Sequence, residues 1–229
     1  MSKERLELLR RAVQEASRIL IVTHNDPDPD AIASAVALQY LLSEVTGINA
    51  QFAYRGIIGR AENRALVRYP DHPLKRLASA DVREGIAIAL VDTQPSAGNN
   101  PLPSRSTATL ILDHHPLPEE TVGAEFADVR PAIGATSTML VEYLQAAGTE
   151  PPARLATALF YGIKTDTMGL VRGASPADVA AYIFNRGLTS MPCSRLNGRR
   201  FPLTAFKSWT RCCTQRAFMT MSSSPMWGR

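Results

Sequence analysis

An α/β domain, a mostly parallel sheet flanked by helices, is the fold class this 229-residue sequence predicts, and three observations carry that reading. Short strand-type runs alternate with helical patterns between about residues 5 and 188, the arrangement expected of repeated strand–helix–strand units. Two of the runs, GIAIALVDT (85–93) and ATLILDHH (108–115), are continuously apolar, as strands covered by helices on both faces are. Three runs end in polar side chains able to bind metal, and open α/β sheets form their sites just beyond the carboxyl ends of their strands.

Taken in order, the first 20 residues place Leu6, Leu9, Val13 and Ala16 at helical spacing, which predicts an amphipathic first helix. RILIVTH (18–24) is a strand, and DAIASAVALQYLL (30–42) is a helix so apolar that most of its faces must be buried. NAQFAY (49–54) is a weaker strand. After the two apolar strands, GATSTMLVEYLQAAG (134–148) reads as a helix ending at Gly148, and PARLATALFYGIKTDT (152–167) as a helix running into a polar turn. SPADVAAYIFNRG (175–187) opens on a serine cap with proline first in the helix and closes on glycine. The sequence contains no internal repeat.

Composition narrows the function classes. No run of about 18 apolar residues exists, so no membrane-spanning helix is predicted. The N-terminus lacks the continuous apolar core of a secretory signal, which predicts a cytoplasmic protein. Residues 1–190 carry 18 Lys and Arg against 21 Asp and Glu, whereas residues 191–229 carry seven Lys and Arg and no acid. The basic balance therefore belongs to the end of the chain. Cys193, Cys212 and Cys213 all lie there as well, so the main domain has no disulfide framework and fits a reducing compartment.

The chemistry-bearing residues cluster in four places. THNDPDPDAIAS (23–34) offers His24, Asp26, Asp28 and Asp30; its prolines disfavour helix across 26–29, which predicts an extended turn before the helix begins, with a cap as the plain alternative for Asp30, although a cap uses only one of these side chains. A calcium loop is excluded, because Ala31 stands where the sharp-turn glycine belongs and Ala37 where the bidentate glutamate belongs. LVDTQP (90–95) ends a strand on Asp92, and ATLILDHH ends one on Asp113, His114 and His115. Asp166 lies at the end of LFYGIKTDTMGL (159–170). A strand-end aspartate is commonly a turn former, and a hydrogen-bonded pair near the surface is the less favoured alternative for His114 and His115 beside Asp113. Three strand ends behaving alike point instead to one shared crevice. GIIG (56–59) lacks the third glycine and the acid of a dinucleotide fingerprint.

A histidine, Asp-x-Asp four and six residues later, a strand-end aspartate, Asp-His-His and Gly-Ile-x-x-Asp-Thr, in this order, resemble the DHH family of phosphoesterases. The RecJ-like branch, with its nano-RNases that also dephosphorylate 3′-phosphoadenosine 5′-phosphate, is the most similar. The resemblance covers residues 5–188 and implies a catalytic domain over 1–188. It implies that His24, Asp28, Asp30, Asp92, His114 and Asp166 ligate two divalent ions, usually manganese. Asp92 matches the bridging carboxylate, His115 lies near the scissile phosphate and Asp113 orients a histidine. Asp92, Asp113 and His115 are thus the implied catalytic residues, acting on a short oligonucleotide or small nucleotide through a hydroxide that the two metals activate. Four ligating carboxylates also balance the charge of two divalent ions. With such a mechanism Ser34 and GATST (134–138) serve packing and helix initiation. Cyclic-dinucleotide phosphodiesterase, exopolyphosphatase and inorganic pyrophosphatase share this catalytic half.

Family members continue into a smaller substrate-binding domain with a GGGH-type segment. Residues 189–229 contain no such segment; they are basic, rich in Arg, Ser, Cys and Trp, and lack periodicity. Their composition resembles translation out of frame and predicts a segment with no fold of its own. A non-catalytic fragment that binds metal or nucleotide is the alternative this implies. Stacking of Trp209 and Trp227 on single-stranded nucleic acid, or metal binding by the three cysteines, has less support, since no paired Cys-x-x-Cys is present.

Overall fold

Isoleucine, leucine and valine runs set the central strands, and glycine or proline marks several of the helix ends. The computed structural model describes residues 3–59, 63, 64, 66, 74–78, 81–82, 85–102, 107–116 and 124–188. The expected segment 189–229 lies outside the described residues. Helix α1 (Lys3–Val13) buries Leu6, Leu9 and Val13, the amphipathic stripe read from the sequence. Strand β1 (Ile19–Val22) is buried along its whole length and leads through Thr23 and His24 into helix α2 (Pro29–Thr46). Every residue of α2 from Pro29 to Gln39 is buried, as its composition requires.

The start of α2 departs from the sequence expectation. Asp28, not Asp30, is the cap: its side chain accepts from the Ala31 amide at 3.0 Å, and Pro29 takes the first helical position, where no amide donor is needed. Asp30 therefore belongs to the first helical turn, and its carboxylate is fully buried. The helix also runs four residues past Leu42 before Gly47, at φ 71°, closes it by donating its backbone N–H to the Ser43 carbonyl.

Strands β2 (Gln51–Tyr54), β3 (Lys75–Arg76), β4 (Ala87–Val91), β5 (Leu110–Asp113) and β6 (Phe126–Val129) complete the sheet in the order β3-β2-β1-β4-β5-β6, with every neighbouring pair parallel. Two of these strands lack an apolar signal. Strand β3 is two exposed residues, and β6 alternates buried and exposed with an aspartate in the middle. Asp128 is tolerated there because Arg5, Arg130 and the Tyr143 hydroxyl all donate to it.

Three further long helices follow among the described residues: α3 (Thr136–Ala147), α4 (Ala153–Asp166) and α5 (Pro176–Leu188). Helix α2 packs against α3 and α4, and α5 packs on α4. Leu20, Val22, Ala53, Leu90, Ala108 and Ile111 form one apolar cluster across the central strands. Burying each of the larger of these side chains stabilises the fold by about 1.5–3 kcal/mol. Among the described residues, no helix is long and apolar enough to cross a membrane. The strand order reverses between β1 and β4. A crevice opens at such a reversal, outside the carboxyl ends of the strands.

Candidate metal centre

That crevice is where the chemistry-bearing strand ends meet. His24 follows β1, Asp92 follows β4, and Asp113, His114 and His115 close β5. Asp28 and Asp30 come from the start of α2, and Asp166 is the last residue of α4. Three groups each offer ligand atoms within 4.8 Å of one another: His24, Asp28 and Asp92; Asp92, His114 and His115; and Asp30, His114 and Asp166. Asp92 joins the first group to the second through opposite oxygens. Its Oδ2 lies 3.5 Å from His24 Nε2, and its Oδ1 lies 3.5 Å from His114 Nε2. The Asp92 backbone has φ 59°, a left-handed conformation that costs a non-glycine residue energy and here turns the side chain across the crevice.

Both inner histidines present the same face. His24 Nδ1 donates to the Asn25 carbonyl at 2.8 Å and His114 Nδ1 to the Ile133 carbonyl at 3.2 Å. A carbonyl only accepts, so each Nδ1 carries the proton and each Nε2 is left to face carboxylates. His114 Nε2 is buried and, although 3.2 Å from Asp166 Oδ2, it lies outside hydrogen-bond geometry with any partner. A buried ring nitrogen with no hydrogen bond, surrounded by carboxylates, fits a bound cation. Two imidazoles with four carboxylates suit a divalent ion of intermediate softness.

The electrostatics agree with that fit. Burial disfavours a charged imidazole at His24, yet the neighbouring Asp28 and Asp92 carboxylates outweigh it and push the group up to about 11. Burial likewise opposes charge on His114, and Asp166, Asp30 and Asp92 push it up to about 10. Burial, then Asp92 and Asp166, push the Asp30 carboxyl well above the ordinary range. Without metal, protons on the imidazoles hold the carboxylates together. A folded value above the unfolded 6.5 gives stability that is complete below about pH 6.5 and lost as pH rises through 10 to 11. Chelator-treated protein is therefore expected to melt at progressively lower temperature above neutrality, as thermal unfolding across a pH series would record.

His115 differs from the inner pair. Its Nδ1 donates to Asp113 Oδ1 at 2.8 Å, which aims an open Nε2 outward on a ring that is 54% exposed. Asp113 is buried, and its other oxygen accepts from Gln94 Nε2 at 2.8 Å. The Asp113 carboxylate raises the His115 imidazole, a hydrogen bond outweighing partial burial. This pair can deliver or hold a proton beside whatever the inner groups bind.

The carboxylates are aimed by a second layer of donors. Asp30 accepts from the Thr136 amide at 2.7 Å and the Ser137 amide at 2.8 Å, the free donors at the start of α3. The Thr136 hydroxyl donates to Asp92 Oδ1 at 2.8 Å, and Ser34 bridges Asp30 and Ser137. Helix α4 approaches closely because Gly162 faces this layer: a methyl there would lie 2.5 Å from Ser137 Oγ and 3.1 Å from Asp30 Cα. Asp166 follows four residues later, one turn along the same helix face. The Gly-Ile-x-x-Asp spacing thus places a close approach and a carboxylate on one side of α4.

The loop carrying His24 is clamped by both sheet neighbours of β1. The Asn25 amide donates to the Asn99 carbonyl at 2.7 Å, and the Asp26 amide to the Arg55 carbonyl at 2.9 Å. Asp26 Oδ1 accepts from the Ile57 amide at 2.5 Å. Gly56 sits between them at φ 93°, and a methyl there would lie 2.2 Å from Asp26 Oδ1. Gly56→Ala is expected to destabilise the protein by about 1–3 kcal/mol through backbone strain and the broken clamp. Urea unfolding measures this directly.

The eight residues that the family resemblance implicates lie at this crevice: His24, Asp28, Asp30, Asp92, Asp113, His114, His115 and Asp166; Asp26, also picked out in the sequence, joins none of the three groups and accepts from the Ile57 amide instead. Asp113 belongs to none of the three groups and bonds His115 instead. Sequence reasoning missed the contributions of Thr136, Ser137 and Gln94. A Thr-Ser pair opening the helix that follows the loop after β6 was the available signal for the first two, and a polar residue two positions past Asp92 for the third.

Comparison with known proteins places this arrangement in context. Residues 18–163 match the family described as DHH family, N-terminal domain. An uncharacterized protein of Methanocaldococcus jannaschii is 39% identical over 184 residues, which cover 79% of this chain and 37% of that protein. A Streptococcus agalactiae protein named probable manganese-dependent inorganic pyrophosphatase is 26% identical over 155 residues, 66% of this chain and 49% of its own length. An exopolyphosphatase-related protein from Bacteroides fragilis shares the fold, with a TM-score of 0.65 at 16% identity over 87% of this chain and 61% of that chain. This chain spans less than two thirds of the length of each of them.

Proposed function

We propose, from the premise that this chain belongs to the DHH family, that it hydrolyses phosphate bonds of small phosphate-containing substrates with a pair of divalent ions, manganese foremost. The observation that carries this reading is the sharing of Asp92 between groups containing His24 and His114, whose Nε2 atoms both face the crevice. When bound, two divalent ions supply an acidified water and positive charge against the phosphate oxygens. His24, Asp28 and Asp92 would hold one ion, and Asp30, Asp92, His114 and Asp166 the other. His115, oriented by Asp113, stands beside the substrate phosphate and exchanges a proton through Nε2. No side-chain nucleophile is required.

The substrate we favour is a short oligonucleotide or small nucleotide, in keeping with the likeness of the motifs to the nano-RNase branch. Inorganic pyrophosphate is the second reading, supported by the name of the S. agalactiae relative. The test supplies manganese to metal-free protein and follows mononucleotide release from a trinucleotide alongside phosphate release from pyrophosphate. Turnover of the trinucleotide supports the first reading and turnover of pyrophosphate alone the second. Manganese binding with no turnover would favour a binding fragment.

Metal uptake should also release protons. His24 and His114 are charged near neutrality in the metal-free protein, and a ligating imidazole must be neutral. Calorimetric titration with manganese in buffers of differing ionisation enthalpy is expected to show proton release, and apparent affinity should rise with pH.

A further inference from the structure

The turn 134–138, GATST, reads in the sequence as a helix start, yet in the fold it reaches further. Among the described residues, Thr136 bonds both carboxylates at the centre of the crevice. Its amide donates to Asp30 Oδ2 at 2.7 Å and its hydroxyl to Asp92 Oδ1 at 2.8 Å. Thr136 is wholly buried. Its hydroxyl therefore has no water to choose instead, and its branched side chain has restricted rotation. The turn is itself fixed: Asp178 accepts from the Gly134 amide at 2.9 Å and from the Thr138 hydroxyl at 2.6 Å.

We propose that Thr136 is a positioning residue for the metal pair, its hydroxyl setting the rotation of the Asp92 carboxylate so that one oxygen faces each ion. This inference rests on the two-ion reading above. The terminal torsion of an aspartate has a broad minimum, so a carboxylate is easily turned unless something holds it. Asp92 needs Oδ2 toward His24 and Oδ1 toward His114, each at 3.5 Å, and a quarter turn would remove both alignments. The Thr136 hydroxyl sits on Oδ1 and opposes that turn. Ser137 lacks this role: its amide bonds Asp30 and its hydroxyl Ser34.

Thr136→Val keeps the shape and the backbone amide while removing the hydroxyl, and Thr136→Ser restores the hydroxyl on a freer side chain. Manganese titration of metal-free protein by calorimetry, with electron paramagnetic resonance of the loaded sample, reads the effect without an activity assay. Wild type is expected to take two ions with a spin-coupled spectrum. Thr136→Val should bind at least one ion about 10–100-fold more weakly, as loss of a hydrogen bond behind a metal ligand does, and should lose the coupled signal at stoichiometric metal. Thr136→Ser should recover most of both. A merely structural role would lower the melting temperature and leave the coupled spectrum intact. If the valine variant does not fold, Thr136→Ala repeats the removal of the hydroxyl. Unchanged affinities and spectrum in the folded variants would overturn the inference alone. Wild-type protein that takes up no manganese would overturn the two-ion reading and this inference with it.

Discussion

Asp92→Asn is expected to lower manganese-dependent turnover by about a hundredfold to ten-thousandfold. A hydrogen-bonding partner behind a ligand is typically worth about 10–100-fold in metal affinity, and a carboxylate shared by two ions is worth at least that for each, or about 10²–10⁴ combined. Asparagine is the informative replacement. Asp92 has φ 59°, which asparagine adopts readily and alanine does not, so Asp92→Ala would mix backbone strain with the loss of charge. An amide can also keep the acceptor that the Thr136 hydroxyl uses at 2.8 Å. Steady-state kinetics with manganese in excess, paired with calorimetric affinity, separate poor loading from poor turnover. Turnover equal to wild type would remove the shared-carboxylate arrangement and the proposed hydrolysis with it.

The reason Asp92 could be picked out from sequence is topological. A continuous apolar run that stops on an aspartate predicts a buried parallel strand whose last residue faces the crevice, and β4 and β5 both follow that rule. The geometry of α2 was less legible. Two prolines around Asp28 read as an extended turn, but proline at a first helical position begins a helix, which brought Asp30 inside it and buried its carboxylate. Strands β3 and β6 carry no apolar run, since one is exposed and the other holds Asp128 through arginine and tyrosine donors. Periodicity cannot see a strand stabilised in that way.

The donors behind the ligands were hidden for a different reason. Threonine and serine at a helix start satisfy the helix's own needs so often that their sequence signal is saturated by capping. What distinguishes Thr136 is a partner 44 residues away in the chain, Asp92, brought near only when α3 lies across the ends of β4 and β5. Gln94 is similar: its amide serves Asp113, 19 residues on. Such contacts follow from the strand order, and the strand order is set by packing of the whole domain.

The largest expected loss of stability comes from Asp178, a side chain outside the metal-competent groups. It is completely buried, and it accepts from the Gly134 amide at 2.9 Å, the Thr138 hydroxyl at 2.6 Å, the Ser175 amide at 2.7 Å and the Ser175 hydroxyl at 2.6 Å. The two Ser175 bonds close the start of α5, and the other two fix the turn from which Thr136 reaches Asp30 and Asp92. Asp178→Ala would remove the acceptor of four donors, two of them backbone amides, and is expected to destabilise the protein by about 3–5 kcal/mol. Asp178→Asn should be milder, at about 1–2 kcal/mol. Its single carbonyl can replace Oδ2 and keep three donors, while the Thr138 hydroxyl turns round to accept from the amide. Urea unfolding of both variants without metal measures the two losses, and equal losses would refute this hydrogen-bond account. The same variants connect fold to site. If the turn holds Thr136 in place, Asp178→Asn will weaken manganese binding even where the protein is fully folded, because slack at the turn reaches Asp92 through a single hydroxyl.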